Sequence, residues 1–85
     1  MQGIPRIKSV KPLDNLCLLV NFEGDIVKKY DVKKLFKKFP FFKGLESKPL
    51  FNLVKVDCGG FGLSWNDNLD LSEYEVWENG FTDEK

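Results

Sequence analysis

The seven residues 16–22, LCLLVNF, are apolar on both faces of an extended chain. Leu16, Leu18, Val20 and Phe22 share one face at period two, and Cys17, Leu19 and Asn21 share the other. A strand apolar on both sides needs cover above and below it, so this run belongs in the middle of a sheet. Its neighbours in sequence supply the flanking strands. Asp14 and Asn15 tolerate left-handed turn conformations, which makes residues 7–13, IKSVKPL, an antiparallel partner. Pro12 cannot donate to a ladder and places that strand at an edge or at a bulge. The opposite parity of Ile7 and Val10 also points to a bulge. After the polar turn Glu23-Gly24-Asp25, where Gly24 can take a positive φ, residues 26–32, IVKKYDV, alternate as a third strand. The expected framework is a three-stranded meander.

The rest of the chain is expected to cover that framework. Asp31 is an N-cap candidate, and Val32, Leu35, Phe36 and Phe39 follow at i, i+3, i+4, i+7, one apolar stripe of a helix. Pro40 stops this helix by barring helical geometry at Phe39. In residues 41–46 the Phe side chains are expected to fold back onto the core. Ser47 and Pro49 open a second short helix carrying Leu50, Phe51 and Val54. Residues 53–57, LVKVD, predict a fourth strand, Cys58-Gly59-Gly60 a turn, and residues 61–65, FGLSW, a fifth strand. Asn66-Asp67-Asn68 is a turn, and residues 69–71 are extended or irregular. Ser72-Glu73-Tyr74-Glu75 matches the capping box S-x-x-E. It opens a terminal helix through Trp77 that Asn79-Gly80 ends, with residues 82–85 as a frayed tail. The predicted fold class is α+β, a small single domain over residues 1–85 with an antiparallel β-sheet of about five strands covered by two or three short helices.

With 85 residues, burial on folding reaches only roughly 60–65% of the surface of the unfolded chain, so the eight Phe, two Trp and two Tyr must supply much of the core. No apolar run approaches the roughly 20 residues that span a membrane, and the N-terminus lacks a signal-peptide core. Two cysteines distant in sequence with no secretory signal predict reduced thiols and a cytoplasmic location. The formal charge is zero, yet it is polarised. Residues 1–55 hold twelve Lys/Arg against five Asp/Glu, and residues 56–85 hold one Lys against eight acids. Three readings fit. The halves neutralise each other within the fold; opposed patches drive head-to-tail or isologous self-association; or the basic half faces an anionic partner.

Catalytic chemistry is poorly supplied. There is no histidine, which removes Ser-His and Cys-His nucleophile pairs and the commonest metal ligand. Cys17 lies in the densest strand and fits a buried small hydrophobe. Cys58 precedes two glycines with no base in sight, and two cysteines alone do not make a structural zinc site. Asp57, Asp67, Asp70 and Glu73 are the acidic cluster that paired-carboxylate or Mg²⁺ chemistry would need, but their spacing matches no known loop, and turn formation and capping explain them. Gly59-Gly60-x-Gly62 lacks the lysine and helix of a phosphate loop. The expectation is a protein that is not an enzyme, with no cofactor and no metal.

The strongest candidates for function are charged. Lys33/Lys37 and Lys34/Lys38 are i, i+4 pairs that project as two rows on one helix face, with Lys28 and Lys29 just upstream. A solvated face explains them, and so does docking to an acidic protein surface or to phosphate. The absence of Arg there argues against base reading. Glu73, Glu75, Trp77 and Glu78 form the acidic counterpart on the last helix, where Trp77 either contacts a partner or seals the core.

An ordered set of segments resembles a known family. These are I-K-S-V-K-P-L-D-N-x-x-L-x-V-x-F from Ile7 to Phe22, Y-D-V-x-x-L from Tyr30 to Leu35, L-F-x-x-V-x-V-D from Leu50 to Asp57, and W-x-x-x-x-D-L from Trp65 to Leu71. Together they are similar to the small bacterial family catalogued as domain of unknown function 2442. The resemblance implies an α+β fold with an antiparallel sheet. Some members carry the domain ahead of a helix-turn-helix DNA-binding domain, and others stand beside genes suspected to form toxin–antitoxin-like pairs. The family has no established activity, so the resemblance carries over no catalytic residue. Here Asn66-Asp67-Asn68 stands where the family has a Pro/Asn-Gly turn, and no DNA-binding domain follows within these residues. The combined expectation is a cytoplasmic, non-enzymatic interaction domain with a protein partner, the partner or antitoxin-like member of a two-gene pair, with self-association as a further prospect and no membrane role. The alternative is a nucleic-acid-associated accessory factor using the lysine face.

Overall fold

The computed structural model describes residues 4–66 and 69–82, and of Cys58 only the backbone. Strand β1 (Ile7–Leu13) pairs antiparallel with β2 (Cys17–Phe22), and β2 pairs antiparallel with β3 (Ile26–Asp31). The expected meander is present, with the apolar run at its centre. Leu18, Val20 and Phe22 are fully buried, and Cys17, Leu19 and Asn21 on the other face are half-buried. Pro12 lies on the edge strand, and the β1–β2 register shifts between Ile7 and Ser9, the bulge that the parity of Ile7 and Val10 requires.

The turns follow their residue chemistry with one exception. Asn15 takes the left-handed conformation, as do Gly24 and Asp25. Leu16 is left-handed as well, at φ 58. A left-handed leucine costs roughly 1–2 kcal/mol, and its geometry takes Leu16 out of the strand, which begins at Cys17.

Residues Val32–Lys34 form a 3₁₀ turn that leads into α1 (Leu35–Lys38). The Asp31 carboxylate caps this start, accepting from the Lys33 amide at 3.0 Å. The expected single α-helix is therefore part 3₁₀ and ends before Pro40, which opens a second 3₁₀ segment, Pro40–Glu46. Helix α2 (Lys48–Phe51) has Pro49 in its first turn and buries Phe51. The fourth strand is shorter than residues 53–57. Only β4 (Lys55–Val56) pairs, because Leu53 and Val54 donate back into the turn that closes α2.

Strands β4, β5 (Gly62–Asn66) and β6 (Leu69–Ser72) form a sheet of their own, all antiparallel. Residues 69–71 are thus a regular strand. Helix α3 (Glu73–Asn79) follows, and β7 (Phe81–Thr82) adds to the free edge of β3, where Thr82 pairs with Lys28. Residues 83–85 of the expected tail lie outside the described residues. The described strands divide between two sheets of four and three, with β4 lying beside β1. One core joins the sheets through Ile7, Phe22, Tyr30, Leu45, Phe51, Leu63, Trp65 and Val76, and the Trp65 indole donates to the Phe51 carbonyl at 3.1 Å. No helix among the described residues is long and apolar enough to cross a membrane.

Candidate functional site

Three of the six candidate lysines, Lys28, Lys29 and Lys33, are engaged. Lys28 Nζ donates to the Trp77 carbonyl at 2.6 Å and lies 4.2 Å from the centre of the Trp77 ring, a cation–π contact. Lys33 Nζ donates to the Asn15 carbonyl and sits 3.1 Å from Asp31. Lys29 is half-buried on β3, where it pairs with Phe81. Lys34, Lys37 and Lys38 are exposed and have no partner among the described residues. The surface expected to show two rows of lysine therefore presents three from α1 and its approach.

The acidic candidates on α3 divide in the same way. The Ser72 hydroxyl caps the helix, accepting from the Glu75 amide at 3.1 Å. The reciprocal half of the capping box is replaced, because the Glu75 carboxylate turns instead to Tyr30 Oη at 2.8 Å and Asn79 Nδ2 at 2.9 Å, both donating to it. Burial, with this carboxylate at its hydroxyl, pushes the Tyr30 phenol well above its ordinary pKa. Trp77 seals the core edge, with its ring 5.1 Å from that of Phe22 in an edge-to-face contact. Glu73 is half-buried and Glu78 exposed.

The acids considered for metal or paired-carboxylate chemistry come from separate elements. Asp57 begins the turn before β5, Asp70 projects from β6, and Glu73 starts α3, while Asp67 lies outside the described residues. Among the described residues no group of three or more His, Cys, Asp or Glu side chains could hold a metal ion. Cys17 is a half-buried free thiol whose sulfur faces the Asn15 carbonyl.

A different site stands out. A cleft of about 340 Å³ runs between two walls, one made by Leu35, Phe39, Phe41 and Phe42, the other by Asp70, Leu71, Ser72 and Glu75. Phe42 is buried and meets Trp65 edge-to-face at 6.3 Å. Phe41 stacks on Phe42 with centroids 4.8 Å apart, yet it is 60% exposed, and Phe39 beside it is 44% exposed. The expected folding-back of the connector is thus half realised: Phe42 enters the core and Phe41 does not. The reason is local. Consecutive residues of a 3₁₀ turn point about 120° apart, so Phe41 and Phe42 cannot both face inward. Three Phe in the four residues 39–42, around a proline, were the sequence signal for this cluster, and a helical stripe alone does not show that its last member, Phe39, lies open.

A family model described as protein of unknown function (DUF2442) matches residues 7–82. The chain belongs to this family. Comparison with curated proteins and with solved structures returned no match. The DUF2442 match runs from the first residue of β1 to the last of β7, so both sheets, the cleft and its two walls all lie within it.

Proposed function

We propose that this DUF2442 domain is a non-enzymatic, cytoplasmic protein-interaction module that receives its partner in the aromatic cleft between α1 and β6. The observation that carries this reading is the exposure of Phe41 and Phe39, two large rings held in place by Phe42 and flanked by charge. Aromatic side chains fixed in a pocket and ringed by polar groups are what protein interfaces use as their energetic centre. Full burial of such a ring is worth roughly 1.5–3 kcal/mol, and about half of each is still exposed, so the two together contribute about as much as one fully buried ring. The alternative nucleic-acid reading has less support, because Lys28 and Lys33 are occupied inside the fold.

The test uses three immobilised baits in a host lysate: the wild-type chain, Phe41→Ser, and Lys34→Glu with Lys37→Glu and Lys38→Glu. The expected result is a protein retained in stoichiometric amount by the wild type at moderate salt and lost from Phe41→Ser. A captured product of a neighbouring gene would supply the two-gene pairing that the family resemblance implies. Equal capture by wild type and Phe41→Ser would contradict the cleft as the docking site. Nucleic acid that leaves steeply with salt would favour the alternative, since counterion release scales with the phosphates neutralised.

A further inference from the structure

We infer that the occupant of this cleft is a second copy of the chain, docked about a two-fold axis. This rests on the interaction-domain reading above and adds the identity of the partner. The lining of the aromatic wall is apolar, but the segment that forms it is basic: residues 32–45 include the exposed Lys34, Lys37, Lys38 and Lys43 and no acid. The facing wall is acidic: residues 69–79 hold Asp70, Glu73, Glu75 and Glu78 and no Lys or Arg. Phe39 and Phe41, partly exposed, belong to the first of these walls. Among the described residues, Lys34, Lys37 and Lys38 form no ion pair with these acids, and Asp70 and Glu78 are exposed, so charge of both signs is open to solvent.

A patch of this design is its own complement. Rotation by 180° about an axis through the Phe rings sets the basic wall of each copy against the acidic wall of the other and brings the rings together at the centre. A partner carrying one sign of charge would be attracted to one wall and repelled by the other. The whole chain has a formal charge of zero, so no long-range repulsion keeps two copies apart.

Sedimentation velocity of the full chain over a concentration series, up to about 1 mM to reach weak association, tests this with three variants. Wild type is expected to be a reversible dimer whose association weakens with salt, and Phe41→Ser to be monomeric throughout. The set Lys34→Glu, Lys37→Glu, Lys38→Glu makes both walls acidic, and the set Asp70→Lys, Glu73→Lys, Glu78→Lys makes both walls basic. Each should weaken self-association by about tenfold or more, while an equimolar mixture restores it, because like charges across an interface repel and opposite ones pair. Wild type that stays monomeric at every concentration overturns the second copy as occupant. The interaction-domain reading survives that outcome if Phe41-dependent capture of another protein persists, and falls with it if capture is also absent. A dimer that Phe41→Ser leaves intact overturns the placement of the interface. A mixture of the two charge variants that fails to associate overturns the two-fold arrangement.

Discussion

Lys28 and Trp77 are joined twice: the ammonium donates to the Trp77 carbonyl at 2.6 Å and sits 4.2 Å from the centre of the Trp77 ring. They lie 49 positions apart in sequence. The contact fastens the last helix across the third strand and brings a residue of the basic half onto the acidic half. Replacing Lys28 with Met keeps most of the stem and removes both interactions. The expected loss is about 2 kcal/mol, from a charge-assisted hydrogen bond and a cation–π contact. A lower urea midpoint at unchanged m-value would show it.

The Tyr30–Glu75 bond makes stability depend on pH at the alkaline end. The Tyr30 pKa is raised in the folded chain by burial and by the carboxylate that accepts its hydrogen bond. Below about pH 10 the phenol is protonated in both states, and above it the unfolded chain ionises first. Stability is therefore complete below pH 10 and declines as pH rises beyond it. Tyr30→Phe should cost about 1.5 kcal/mol at neutral pH and flatten the alkaline decline, read from urea midpoints between pH 8 and about pH 11.

Gly60 is held where no side chain fits. Its φ is +80, and a Cβ would come within 2.7 Å of the Ile7 carbonyl oxygen. Gly60→Ala should destabilise the fold by about 2 kcal/mol or more, from backbone strain and the clash together. Gly80 is constrained differently. It is extended, at φ −79, and a Cβ there would meet the Val76 carbonyl at 2.6 Å. The glycine that ends α3 is thus required by close approach of backbone and not by the left-handed cap that Asn79-Gly80 suggests.

Adjacent phenylalanines should behave oppositely. Phe42 is buried against Trp65, so Phe42→Ala should cost about 3–5 kcal/mol of stability and lower the thermal midpoint markedly. Phe41 is exposed, so Phe41→Ser should leave stability within about 0.5 kcal/mol while removing association. Thermal melts of the two variants side by side, with sedimentation of Phe41→Ser, separate a core residue from an interface residue.

Much of this architecture was legible because it is local. The both-sided apolar run at residues 16–22 located the central strand, Pro12 and the parity of Ile7 and Val10 located its edge partner and bulge, and Asp31 and Ser72 marked two helix starts. The alternation located the strand at residues 61–65 and overextended the one at residues 53–57, and nothing local revealed that these two and β6 make a separate sheet, since pairing partners are a tertiary choice. The same limit applies to β7, two residues long, which forms only because β3 offers a free edge. The candidate surface was legible in kind and not in detail. Charge segregation was plain, but Lys28, Lys33 and Glu75 find partners 18 to 49 positions away, which no helix-face periodicity reveals. Phe41 was missed because a run of Phe signals burial, and the inward side of a tight 3₁₀ turn admits only some of them.

The central claim is that the cleft between Phe41 and Asp70 is the surface at which this domain associates. A concentration series of amide proton–nitrogen NMR spectra of the ¹⁵N-labelled chain tests it most directly, because it reports where contact occurs and not only that it occurs. The prediction is that shifts on concentration gather at residues 37–43 and 70–75 and vanish in Phe41→Ser. Shifts centred instead on exposed apolar residues elsewhere, Leu53, Phe61 or Phe81, would contradict it.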